Sequence, residues 1–232
     1  MRTILATAFA LIATCALSAA DIHGTLIVNR KLTRRNVTLS AGIYQRGAAV
    51  PVAPDAGDDP LAFEREHVAV WLEGDGPESR TKAEMAQRER RFSPDFVVIP
   101  AGSTVSFPNT DAVFHNVFSL SKPCHFDLGN YPRGETRFVT FDHPGIVFVN
   151  CRLHPNMAAV IVVTPNRWYA TGDAAGRFTI RDVPPGRYKI VAWHKTAGYY
   201  RKEITVTSDG DASVEFVIPI TDSTGGHEVA SR

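Results

Sequence analysis

From Gly24 to Ile218 apolar and polar residues alternate with a period of two, broken roughly every eight to twelve residues by Gly, Pro, Asn or Asp. A strand sends successive side chains to opposite faces, so this text buries one face of a sheet and wets the other. A helix would need apolar residues three and four apart. Strand text begins with "GTLIVN", "NVTLSAGIY" and "HVAVWLEG" and continues through "DFVVIP", "STVSFPN", "HNVFSL", "TRFVTF", "GIVFVNC" and "AAVIVVT". It ends with "GRFTIRDV", "GRYKIVAW", "YRKEITVT" and "ASVEFVI". "GAAVPVAPDAGDDP" is loop by composition, and "VPPG" at Val183–Gly186 is a turn. The fold class is therefore all-β, a sandwich or barrel architecture. The one stretch with any helical promise, "ESRTKAEMAQRERR" (Glu78–Arg91), is charged throughout and has no apolar face. It is expected to form a short surface helix or an ordered linker.

The 232 residues have room for one large or two modest domains and can bury a core without disulfides. A formal charge of +1, with no basic run, points to neither nucleic acid nor a membrane surface. The first twenty residues carry Arg2, an apolar run from Ile4 to Leu17, and small residues at Ser18 and Ala20. This is the layout of a secretory signal cleaved near Ala20, which implies a periplasmic or secreted protein. The apolar run falls short of the roughly 20 residues a transmembrane span needs. Cys15 in "IATC" leaves lipoprotein processing as a weaker alternative. Removing this segment also removes Cys15, so two cysteines, Cys124 and Cys151, enter an oxidising compartment, where a disulfide is the plain expectation.

The text around Cys151 competes with that expectation. "VNCRLHPNMAAVIVV" spaces Cys151, His154 and Met157 three apart in a loop between two strands whose ends lie about 5 Å apart. Thiolate, imidazole and thioether are donors that suit copper. A trigonal site needs a second imidazole, and His115 in "FPNTDAVFHNVFSL" is the natural candidate. Cys124 and His125 in "SKPCHFDLG" follow the His115 strand, so Cys124 is a possible extra ligand. Two thiolates and two imidazoles would make a zinc-like tetrahedron; the other options are a disulfide or a free thiol. His143 reads as a solvated turn residue, His194 as a strand-end surface residue, and His23, His67 and His227 carry no motif.

"FSPDFVVIPAGSTVSFPNTDAVFHNVFSL" followed by "FDHPGIVFVNCRLHPNMAAVIVV" resembles the cupredoxins, the blue-copper fold of plastocyanin and amicyanin. The resemblance rests on Gly102, Val105, Phe107, Asn109, the pair His115–Asn116, and the Cys-x-x-His-x-x-Met spacing. It implies a type 1 copper site cycling between Cu(I) and Cu(II), with His115, Cys151 and His154 equatorial and Met157 axial. Asn116 would tie the two ligand loops together. The order of segments also resembles bacterial methylamine-utilisation-like cupredoxin proteins, although these often carry a second histidine where Phe114 stands.

"GRFTIRDVPPGRYKIVAWHKTAGYYRKEITV" resembles the carboxypeptidase-regulatory-like, transthyretin-like β-sandwich, whose opening strands would correspond to "GTLIV" and "HVAVWLEG". The expected division is a signal peptide over 1–20, N-terminal sandwich strands over 21–76 and a linker over 77–91. A cupredoxin domain over 92–164, possibly inserted, is followed by C-terminal sandwich strands over 165–220 and a disordered tail over 221–232. Trp168, Tyr169, Trp193, Tyr199 and Tyr200 read as core and rim packing, with a binding surface as the alternative. The expected function is single-electron transfer to or from a transient redox partner protein, without enzyme activity. Multicopper oxidases need paired His-x-His motifs, which do not occur here. The alternatives are copper binding or delivery without redox turnover, and a metal-free interaction module.

Overall fold

A computed structural model describes residues 19–33 and 59–219. All but the last two residues of the expected signal segment, the strand text "NVTLSAGIY", most of "GAAVPVAPDAGDDP" and the tail from 221 lie outside the described residues. The chain opens with β1 (Ala20–Val28), α1 (Ala62–Glu66) and β2 (Val68–Leu72), then the short strands β3 (Lys82–Glu84), β4 (Ala86–Arg88) and β5 (Arg91–Ser93). Next come β6 (Phe96–Pro100), β7 (Ser103–Pro108), β8 (His115–Ser121), β9 (Cys124–Tyr131), β10 (Thr136–Phe141), β11 (Gly145–Asn150) and β12 (Ala158–Thr164). The last group is β13 (Tyr169–Thr171), β14 (Arg177–Val183), β15 (Gly186–His194), β16 (Gly198–Val206) and β17 (Ala212–Ile218). No helix among the described residues is long and apolar enough to cross a membrane.

Glu78–Arg91, read from sequence as a surface helix or linker, instead supplies β3 and β4, with β3 running parallel to β7. The period-two signal is present there: Met85 and Gln87 are fully buried and Ala83 packs beside them, while Lys82, Glu84 and Arg88 face water. An alanine, a methionine and a glutamine among charges make a faint apolar stripe, which explains the misreading.

Among the described residues β4 and β5 form a two-stranded sheet of their own, and four larger sheets stack in layers. The order is β14-β1-β17, then β13-β2-β15-β16, then β6-β12-β11-β8-β9, then β10-β7-β3. Ile22 and Leu26 of β1 pack with Val70 and Leu72 of β2, Ile190 of β15 and Phe216 of β17, so the first core draws on both ends of the described chain. A second core, of Phe107, Val117, Phe141, Val149 and Ile161 among others, fills the central segment. Between them Ala69, Trp71, Val191 and Trp193 meet Val160 and Val162. The continuous apolar runs of β2 and β12 follow from this stacking, because each strand is covered on both faces. Trp168 and Trp193 are buried, in keeping with the packing reading of the aromatics.

Candidate metal centre

The central sandwich brings three donor atoms together at one end. β11 and β12 pair antiparallel through Asn150 and Ala158, which brackets the loop 151–157 between neighbouring strand ends. Met157 N donates to His154 O at 2.9 Å and Cys151 N to Met157 O at 3.3 Å, closing the loop on itself. β8 lies beside β11 and begins at His115, so its first side chain points at that loop. His115 Nδ1 is 3.1 Å from His154 Nδ1 and 3.9 Å from Cys151 Sγ, and His154 Nδ1 is 3.8 Å from the same sulfur. The point equidistant from these three atoms lies about 2.1 Å from each, within the bond lengths that a metal makes to nitrogen and sulfur. One ion therefore fits among them.

His115 is fully buried, Cys151 is 4% exposed, and Met157 lies 1% exposed in the same core. His154 is half-buried and forms the edge of the cluster toward solvent. Burial, and then the nearby His115 and Arg90, hold the His154 imidazole below its ordinary range. It is thus neutral near pH 7, with a lone pair to donate. Tyr131 faces His115 across the β8–β9 pair and donates its hydroxyl to Phe107 O at 2.9 Å. Burial pushes that hydroxyl up to about 12, so it is a neutral wall of the site.

Asn116 joins the two segments that carry His115 and Cys151. Its backbone N–H donates to Cys151 Sγ at 3.5 Å, and its Oδ1 accepts from Arg152 N at 3.4 Å. Its Nδ2 donates to Asp127 at 2.7 Å, and Asp127 also binds the Arg152 guanidinium at 3.0 Å. Asn109 organises the preceding loop: its Nδ2 donates to Val113 O and Tyr131 O while its Oδ1 accepts from Asp111 N.

Sequence reasoning missed Asp111. Its carboxylate accepts from His115 Nε2 at 2.7 Å and from the backbone N–H groups of Glu89 and Arg90. Burial alone would raise this carboxyl, but the Arg90 N–H, His115 and the Glu89 N–H outweigh it and hold it below the usual range. An Asp in turn-like text four residues before a candidate ligand histidine was the available signal.

Cys124 is not part of the cluster, which overturns its reading as a possible extra ligand. Ser121 pairs with Cys124 and His115 with Tyr131, so six residues of β8, about 20 Å of strand, separate the thiol from the site. Cys124 and Cys151, the two cysteines among the described residues, are both free, so there is no disulfide between them and no two-thiolate zinc site. Burial, with help from Asp142, pushes the Cys124 thiol up, which keeps it protonated. His125 shares that end of the sheet, opposite Leu120. His143 is exposed. His194, expected on the surface, is 1% exposed and paired at 3.2 Å with an equally buried Glu64.

The chain matches no protein-family model and no curated protein. Among solved structures it is similar to a Cu-containing nitrite reductase from Thermus scotoductus SA-01, at 25% identity and a TM-score of 0.33. That likeness covers 39% of this chain but only 23% of the reductase. A purple cupredoxin from Nitrosopumilus maritimus is 23% identical with a TM-score of 0.33, over 35% of this chain and 99% of its own. An amicyanin variant in its Cu(I) form is 19% identical with a TM-score of 0.33, over 39% of this chain and 85% of its own.

Proposed function

We propose that this is a type 1 copper protein that carries single electrons in the periplasm or outside the cell, and that it is not an enzyme in its own right. The observation that carries the reading is the convergence of His115 Nδ1, His154 Nδ1 and Cys151 Sγ on one point. Met157, buried on the same loop, adds the thioether that suits copper and has no place in a closed zinc site. A bound copper would supply one-electron cycling between Cu(II) and Cu(I).

The chain's own residues supply the rest. The buried His115 and the Asn116 N–H on the sulfur hold two donors in place, and the surrounding core excludes water. His154 offers the half-buried edge through which an electron passes. Phe114 and Leu153 are exposed on either side of the ligands, and Arg90 adds positive charge beside His154. A small apolar contact with a cationic margin suits a transient redox partner whose docking face is apolar with an acidic rim.

A visible spectrum taken after adding Cu(II) tests the site. An intense thiolate-to-copper band that vanishes in Cys151→Ser is the expected result, and a colourless loaded protein would overturn the reading. Tight Cu(I) binding without electron exchange would instead mark a copper-holding protein.

A further inference from the structure

We infer that Asp111 is a positioning residue for the metal centre: it fixes the ring of His115 and, by its negative charge, favours the more highly charged state of the bound ion. This inference rests on the copper reading of the site.

The geometry starts with a tight turn. Glu89 and Arg90, between β4 and β5, adopt φ of 54° and 55°. Neither is glycine, and the left-handed region is strained for residues with a Cβ. That conformation aims both N–H groups at Asp111, at 2.6 Å onto Oδ1 and 2.8 Å onto Oδ2. Asn109 Oδ1 holds the Asp111 backbone N–H at 2.9 Å. With three contacts fixing it, the carboxylate turns Oδ2 to His115 Nε2 at 2.7 Å, where its side chain is 14% exposed against 0% for the imidazole.

Two consequences follow from that bond. His115 must carry its proton on Nε2, which leaves the Nδ1 lone pair directed at Cys151 and His154. A carboxylate behind a ligating imidazole also raises its basicity and adds an anion beside the ion, and both effects stabilise Cu(II) more than Cu(I). A strained turn more than twenty residues away thus sets how readily the site accepts an electron.

The test loads the full chain with copper as wild type, Asp111→Asn and Asp111→Ala, and reads the reduction potential, the Cu(II) and Cu(I) affinities and the visible band. Asn keeps an acceptor for Nε2–H but loses the charge; Ala loses both. Asp111→Asn is expected to keep the band, weaken Cu(II) binding about 10–100-fold and change Cu(I) binding less. Each tenfold difference between the two states raises the potential by about 59 mV. Asp111→Ala should in addition shift or broaden the band as the ring loses its anchor. Equal weakening of both states, an unmoved potential, or a loss of metal-free stability alone would make Asp111 a mere clamp for the turn and overturn the inference. A wild-type protein that stays colourless removes the copper reading itself, and this inference with it.

Discussion

Asn116 touches the ligand loop in two ways that substitution separates. Its backbone N–H reaches Cys151 Sγ, whereas its side chain serves Arg152 N and Asp127. Asn116→Ala therefore keeps the contact to sulfur and leaves the part-buried Arg152 N–H short of its partner, at a cost of about 0.5–1.5 kcal/mol. Denaturant midpoints should fall while the thiolate-to-copper band stays in place; an unchanged midpoint would contradict this. His154 behaves in the opposite way. Half-buried at the edge, His154→Ala should cost the metal-free protein only about 0.5–1 kcal/mol. Electron exchange with a partner should nevertheless slow sharply, and stopped-flow mixing would show this. The clustering of Cys151 and His154 was legible in sequence because both belong to one loop whose spacing carries the information. The contact of Asp111 was not, because it depends on N–H groups from Glu89 and Arg90, brought in by a hairpin of two three-residue strands around a charged turn.

At the scale of elements, α1 anchors the first sandwich through a charge. Glu64 Oε1 accepts from Leu32 N at 3.0 Å and Thr33 N at 2.8 Å, and Oε2 from the Thr33 hydroxyl and His194 Nε2. His194 Nδ1 in turn accepts from Thr196 N and Ala197 N, so the imidazole is neutral. Burial would raise the Glu64 carboxyl, but the Thr33 and Leu32 donors with His194 hold it below its ordinary range. Burial pushes His194 below its own, against the pull of Glu64. Both folded groups thus bind protons less readily than they do in the unfolded chain. Stability should fall as pH drops below about 6.5, where unfolded histidine takes up its proton, and further below about 4.3 as Glu64 follows. Urea midpoints across that range should slope for the wild type and flatten near pH 6 in His194→Gln; parallel slopes would refute the assignment. Sequence placed His194 on the surface because its burial depends on α1, five residues with no readable signal. The strands with aliphatic alternation were legible. β9 was not, since its alternating Cys124, Phe126 and Leu128 are only half-covered at a sheet edge.

For the molecule as a whole, the two cores meet through β2 and β15 on one side and β12 on the other. Trp71 is the largest side chain on its side of that contact together with Trp193, and Trp71→Ala should cost about 3–5 kcal/mol. The copper band should survive at room temperature, because Val160 and Val162 face this seam while Ala159, Ile161 and Val163 face the metal-side core. A band lost in that variant would mean that the two halves are coupled more tightly than their packing suggests. The apolar runs of β2 and β12 were visible in sequence, but burial on both faces depends on a stacking order that no local window contains. The outermost layer has a temporal side. β1 lies parallel to β17, matching Ile22 with Ala212 and Val28 with Ile218 across nearly the whole described chain. A growing polypeptide holds every described strand of the half that carries the His115–Cys151–His154 cluster once Thr164 has been made, while β1 must wait for β14 and then β17. The half that carries the cluster can therefore take shape first, and among the described strands the pairing of β1 with β17 closes the fold last.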